Sequence, residues 1–259
     1  MDTAASIKNF RLTVAGFELA AISCGDADAK RLAVVLPGFL DTITQPHIRA
    51  HVEYLAGRGY LAVAFDAPGI WGSSGAIADY TMTQWLAALK DVVAQYDRPT
   101  LTIGHSRGGT MALQGAIEIP HVWGAVAIMS KANYGAGSSS FHPLDVWRRM
   151  GEQEFWVGVP GTPGAKRHFV VPYSVMEDAA RYDLRPRLAQ LTKPKLFIAG
   201  DTDVVVAPQV VREGYDAAAD PKQYVEVSGG HLYRRDEEQI EAVNAALGAW
   251  LDQEELQHA

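Results

Sequence analysis

Cysteine is almost missing: Cys24 is the only one in 259 residues. A lone cysteine forms neither an intramolecular disulfide nor a thiolate metal cluster, and such scarcity suits a reducing compartment, so a cytoplasmic protein is expected. Basic charge is also short. Lys and Arg number 23 against 30 Asp and Glu, a net charge of −7, which disfavours a phosphate-tracking nucleic-acid surface or a polybasic membrane contact. No apolar run approaches the roughly 20 residues that cross a bilayer. Met1 to Arg11 also hold no stretch of signal-peptide length, so a soluble, untargeted chain is expected. Material for a core is plentiful, with 48% hydrophobic and 20% charged residues. One compact α/β domain is the simplest arrangement at this length.

Short β-branched runs bounded by turn residues alternate with segments of helical period, the pattern of a mostly parallel sheet covered on both faces. Ile7 to Val14 and Phe17 to Ser23, joined by Ala15 and Gly16, predict an antiparallel hairpin. Leu32 to Leu36, Leu61 to Phe65, Leu101 to Ile103, Ala125 to Met129, Leu196 to Ala199 and Tyr224 to Val227 predict six buried strands, eight in all. Helices are expected over Gln45 to Gly57, Met82 to Gln95, Gly108 to Ile119, Pro208 to Ala219 and Glu237 to Leu251. The irregular interval Ser130 to Leu191 holds eight of the 24 aromatic residues, among them Tyr134, Phe141, Trp147, Phe155, Trp156 and Tyr173. It reads as a cap inserted into a core made of residues 1–129 and 192–259, with Trp147, Phe155 and Trp156 as candidate walls of a substrate pocket. An ordinary run of helices with its own small core is the alternative.

The sharpest local signal is Gly104-His105-Ser106-Arg107-Gly108-Gly109, a G-x-S-x-G between a predicted strand and a predicted helix. Such a turn strains the serine backbone and lifts its hydroxyl above the sheet edge. A serine hydroxyl needs a base to take its proton and an acid to hold that base in one tautomer. In this topology both should follow the serine, each in a loop after a later strand. His231 follows Tyr224 to Val227, and Asp201 and Asp203 follow Leu196 to Ala199. Asp203 is favoured as the acid, since Asp201 is close enough to the strand end to serve as a turn cap. Residues Ser130 to Asn133 offer no carboxylate in the other acid position. Phe39, in the loop Leu36-Pro37-Gly38-Phe39-Leu40-Asp41, and Arg107 would supply the oxyanion amides. His47 and His51 have i, i+4 spacing without an H-E-x-x-H or an evident third ligand, so no metal is expected there. His105, beside the serine, is expected to point away from the hydroxyl, and His258 falls in a tail.

With Phe65-Asp66-Ala67-Pro68-Gly69-Ile70-Trp71-Gly72-Ser73-Ser74-Gly75, which looks like the family's D-x-x-G-x-G-x-S-x-G loop, these residues resemble the α/β-hydrolase superfamily over essentially the whole chain. The stretch Met176 to Asp183, leading to Pro194, is similar to small-capped bacterial esterases, including feruloyl and cinnamoyl esterases. The resemblance implies an eight-stranded α/β-hydrolase fold and a cofactor-free serine hydrolase acting on small carboxylic esters through an acyl-enzyme. The same constellation would serve a thioesterase, a peptidase or a carbon–carbon bond hydrolase, and a retired hydrolase could keep it while only binding a ligand. Pro37 stands where many relatives have His, and Arg107 where Gln or Met is common. A cation at a helix start is disfavoured by the helix dipole, so Arg107 is expected to have a carboxylate partner, either in the protein or in a substrate, with the protein partner favoured.

Overall fold

The computed structural model describes residues 6–134 and 144–258, the last four of these by backbone alone. Phe141 and the side chain of His258 therefore lie outside the described residues. All eight predicted strands are present: β1 (Lys8–Val14), β2 (Phe17–Cys24), β3 (Leu32–Leu36), β4 (Leu61–Phe65), β5 (Thr100–His105), β6 (Val122–Ile128), β9 (Lys195–Gly200) and β10 (Lys222–Val227). They form one sheet in the order β1-β2-β4-β3-β5-β6-β9-β10, parallel from β4 to β10 and antiparallel at the β1 and β2 edge. Every residue of β3, β4, β5 and β9 is buried, as strands covered on both faces should be.

The expected helices are also there, as α1 (Pro46–Gly57), α2 (Met82–Tyr96), α3 (Arg107–Glu118), α7 (Pro208–Ala217) and α8 (Glu237–His258). Their starts follow local chemistry. Pro46 and Pro208 open α1 and α7, where a missing N–H costs nothing. The Thr81 hydroxyl caps α2 by accepting from the Gln84 amide at 3.1 Å. Apolar residues of α2, α3 and α7 fill the core on one face of the sheet, and those of α1 and α8 fill it on the other.

The interval between β6 and β9 differs from a run of helices. It contains α4 (Leu144–Met150), a separate antiparallel hairpin of β7 (Glu152–Gly158) and β8 (Lys166–Pro172), and the short helices α5 (Ser174–Ala179) and α6 (Arg185–Leu188). Side chains along β7 alternate in exposure, and the Pro- and Gly-rich segment 159–165 turns the chain back. Trp147, Phe169, Val171, Val175 and Leu188 belong to the same buried cluster as α2 and α3, so the interval shares the core of that face.

Chain order reverses across the sheet beside β3: β4 lies on one side of it and β5 on the other. A crevice opens at such a reversal, outside the carboxyl ends of the two strands. Leu36 pairs with Gly104 at those ends, which brings the loop after β3 against the turn after β5.

One buried cation tests the packing at the far end of the sheet. The Lys195 ammonium donates to the carbonyls of Ala219 at 2.7 Å and Pro221 at 3.1 Å, and burial pulls its pKa down to about 8. Between that value and the unfolded value of 10.5, the unfolded chain keeps a proton that the folded chain releases, so this residue's contribution to stability rises with pH across that window. Denaturant unfolding of wild type and Lys195→Met from about pH 7 to pH 10 should show the difference shifting in favour of wild type as pH rises. A pH-independent difference would mean that Lys195 titrates normally.

Candidate active site

The turn after β5 is built by what glycine leaves out. A Cβ on Gly104 would meet the Gly108 carbonyl at 2.2 Å, and one on Gly108 would meet the carbonyl oxygens of Leu36 at 2.1 Å and Pro37 at 2.4 Å. Between them Ser106 takes φ 54° and ψ −121°, a conformation that costs an L-residue free energy and persists only when the surroundings hold it. They do hold it here. The Ser106 amide donates to Ile128 at 2.8 Å, and its carbonyl accepts from Gly109 at 2.9 Å.

His231, in the loop after β10, reaches Ser106 Oγ with Nε2 at 3.0 Å and Asp203 Oδ2 with Nδ1 at 2.8 Å. A carboxylate only accepts, so Nδ1 carries the proton and Nε2 faces the hydroxyl as an acceptor. The other oxygen of Asp203 accepts from the amides of Val205 and Val206, both at 2.8 Å, which fixes the buried carboxylate. Asp201 does a different job. It is exposed, and its Oδ1 accepts from the Gly229 amide at 2.9 Å, tying the two acid- and base-bearing loops together.

The loop after β3 runs within contact of the serine: a Cβ on Gly38 would lie 3.3 Å from His105 Nδ1 and 3.5 Å from Ser106 Cβ. The loop after β4 fixes its shape. Tyr80 Oη accepts from the Leu40 amide at 2.8 Å, Trp71 donates its indole N–H to the Leu40 carbonyl at 2.8 Å, and Asp66 accepts from Ile43 at 2.9 Å and Gly72 at 3.2 Å. Burial raises the Asp66 pKa to about 6 against the lowering effect of those two amides. Phe39 in this loop lines the same cleft as Ser106, and the Arg107 amide lies in the first turn of α3, where it has no acceptor within its helix.

Two expectations need correction. Arg107 has no carboxylate partner among the described residues. It is 1% exposed, its three guanidinium nitrogens make no hydrogen bond, and it lies over the rings of Tyr80 at 4.8 Å and Phe39 at 5.4 Å. Trp147 does not line the cleft. It is 1% exposed, donates to the Val171 carbonyl at 3.1 Å and packs on Phe155, because α4 turns its indole into the shared core. His105 makes no hydrogen bond to Ser106 among the described residues, and its buried ring stands 4.7 Å from that of His231.

Phe155 and Trp156 do reach the cleft. It has a volume of about 340 Å³ and is lined by Phe39, Ser106, Phe155, Trp156, Val205 and His231 among others. Phe155 packs edge-on against Phe39 with centroids 5.3 Å apart, whereas Trp156 is 61% exposed and stacks on His168 at the rim.

The histidines of α1 lie behind this wall. Both nitrogens of His51 are used, Nδ1 by Asn244 Oδ1 at 2.6 Å and Nε2 by the Tyr233 hydroxyl at 2.8 Å, so the i, i+4 pair is not a metal couple. Burial lowers His51 to about 4 and His47 and His105 well below the usual imidazole range, so all three are neutral. His47, His105 and Asp41 bring ligand-type atoms within 4.8 Å of one another, but Arg234 stands 3.5 Å from the same Asp41 carboxylate and already supplies a counter-charge. Asp41, Tyr80, Val205 and Arg234 were not singled out from sequence as site residues. Nothing in their local pattern marks them, since each is brought in by a loop whose path depends on packing.

A serine on a strand-to-helix turn at the reversal point of a mostly parallel eight-stranded sheet defines the α/β-hydrolase class. The chain belongs to the Alpha/beta hydrolase family, whose profile matches residues 33–246. It is 25% identical over 179 residues to the palmitoyl-protein thioesterase ABHD10, mitochondrial, of Rattus norvegicus, a match covering 67% of this chain and 59% of that protein's length. Among solved structures it is similar to Est1E of Butyrivibrio proteoclasticus with ferulic acid bound, with TM-score 0.74, 20% identity, and 94% and 98% of the two chains covered. It is also similar to mouse alpha/beta hydrolase domain-containing protein 10, with TM-score 0.72, 23% identity, and 96% and 99% covered. At these identities the structural likenesses establish the fold.

Two outcomes check the geometry. Asp203→Asn should slow fluorophosphonate labelling of Ser106 by a factor on the order of 10³ to 10⁴, because the imidazole loses its fixed tautomer, while Asp201→Asn should change it only a few-fold; the reverse ranking would move the acid role to Asp201. Trp147→Ala should cost about 3 to 5 kcal/mol in denaturant unfolding. Trp156→Ala, at the rim, should leave stability nearly unchanged and alter relative kcat/KM among aryl and alkyl esters several-fold.

Proposed function

We propose that the protein is a serine hydrolase that cleaves carboxylic esters of small molecules through an acyl-enzyme. The observation that carries this reading is the continuous hydrogen-bonded line from Asp203 through His231 to Ser106, at 2.8 and 3.0 Å. Ser106 Oγ attacks the ester carbonyl as its proton passes to His231 Nε2. Asp203 holds the opposite proton on Nδ1 and stabilises the imidazolium. The amides of Phe39 and Arg107 take the developing oxyanion, where pre-aimed donors in a water-poor site are worth more than in solution. His231 then protonates the departing alcohol. Water, deprotonated by the same imidazole, releases the acid from Ser106.

Several features support small, partly apolar substrates. The cleft volume of about 340 Å³ lies in the range of small-ligand sites, and Phe39, Phe155 and Trp156 give it aromatic walls. The solved structure of Est1E with ferulic acid is a fold neighbour whose ligand is an aryl acid. Thioester cleavage is the second reading, favoured by the name of the matched rat protein; the chain spans 59% of that relative's length. Both use the same attack, since the triad sets the chemistry at the acyl carbon and leaves the leaving group open.

Ser106→Ala should abolish hydrolysis of p-nitrophenyl esters, a loss on the order of 10⁴ to 10⁶ in kcat, with the fold intact by circular dichroism. Adding His231→Ala should cost little more, because the two act as a unit. Substantial esterase turnover by Ser106→Ala would overturn the assignment. Matched oxygen esters and thioesters of one acid would rank the two readings.

A further inference from the structure

We propose that the Arg107 guanidinium is the anchor for a negatively charged group on the acyl half of the substrate, so that the preferred substrates are half-esters or half-thioesters of short dicarboxylic acids. This rests on the hydrolase reading above and adds a substrate class to it.

A buried arginine without a partner demands an explanation. Among the described residues Nε, Nη1 and Nη2 of Arg107 find no hydrogen-bond partner, and the residue is 1% exposed. The rings of Phe39 and Tyr80 attract its charge through their faces but accept none of its five N–H groups in the plane of the fork. Removing an ion from water without a counter-ion is costly, and buried charges are ordinarily paired. Here the surroundings have the wrong sign. Lys131 is a second cation near enough that burial and Arg107 together pull its pKa down to about 8. The first turn of α3, a 12-residue helix, adds its own positive end at Arg107. The indole N–H of Trp85, whose ring centroid is 6.4 Å from that of Tyr80, is a further buried donor with no acceptor among the described residues. Arg107 thus meets donors and no carboxylate among the described residues, and a carboxylate is the group whose two oxygens match a guanidinium fork.

Position decides which half of the substrate carries that charge. The leaving group departs towards His231, which must protonate it. Arg107 packs instead against Phe39, whose amide holds the acyl oxygen in the proposed mechanism and whose ring forms part of the cleft wall. Arg107 is buried behind the Phe39 ring and is not among the residues that line the cleft, so in this proposal the substrate's carboxylate meets the guanidinium only where that ring moves aside. With an overall charge of −7, the protein gives diffuse attraction for anions no role in such binding.

The test compares monomethyl glutarate with methyl pentanoate, which differ at the end of the acyl chain, by following acid release. Wild type should favour the half-ester by ten-fold or more in kcat/KM. Arg107→Met, which keeps the backbone amide, should lose that preference, and Arg107→Lys, which keeps charge without the fork, should retain part of it. Equal kcat/KM for the two esters in wild type would overturn the proposal, whatever the variants do. Binding separates this failure from failure of the hydrolase reading. Calorimetry on Ser106→Ala protein should show glutarate binding and no pentanoate binding, with the glutarate signal lost on adding Arg107→Met. Glutarate binding without turnover of either ester by wild type would sink the hydrolase reading and keep the anion site. Turnover without glutarate binding would keep the hydrolase and reduce Arg107 to a cation buried between two rings.

Discussion

The site depends on one tight approach of backbone to backbone. The carbonyl oxygens of Leu36 and Pro37 press on Gly108 so tightly that no side chain fits, and Gly104 faces Gly108 in the same way. That contact draws the end of β3, the end of β5 and the start of α3 into one small volume. The positive φ of Ser106, the passage of the Gly38 to Asp41 loop over it and the position of the Arg107 amide all follow. The unfavourable conformation at Ser106 is stabilised by packing spread over four strands, since central strands buried on both faces cannot yield without exposing core.

Around that contact the electrostatics are arranged by depth. Behind His231 the imidazoles of His105, His47 and His51 are neutral because burial disfavours their charged form, so the base meets aromatic packing there. In front, Asp203 is saturated by two backbone amides and turns its remaining oxygen to Nδ1. The Arg107 guanidinium makes no hydrogen bond among the described residues and lies over the rings of Tyr80 and Phe39.

The β7–β8 hairpin supplies the remaining wall, and its mode of attachment bears on specificity. Trp147, Phe169 and Val171 root it in the core under α2 and α3, while Phe155, Trp156, Val157 and Gly158 face the cleft. The division falls between elements: α4 and β8 supply the residues rooted in the core, and the end of β7 supplies those that line the cleft.

The eight sheet strands, the flanking helices and the Ser-Asp-His order were legible in the sequence because each rests on local features: apolar runs of strand length, helical spacing, glycines at a tight turn, and polar residues just past strand ends. The β7 alternation and the Pro- and Gly-rich turn after it also carried a hairpin signal, though one masked by the density of aromatic residues. Other features could not be read that way. Asp203 was separable from Asp201 only by a lean, because two residues in one loop differ by which backbone amides they meet, and that depends on where β10 ends. Arg107 was expected beside a carboxylate because a cation is disfavoured at a helix start, yet no rule of sequence says which rings or ions stand 5 Å away. The sequence by itself determined the elements and the reactive residue types, since periodicity and turn chemistry act over a few residues. Tertiary structure alone decided that Arg107 is left without an anion, that Trp147 turns inward and Trp156 outward, and that neutral histidines back the base, since burial and contact are properties of segments that meet only when the chain is folded.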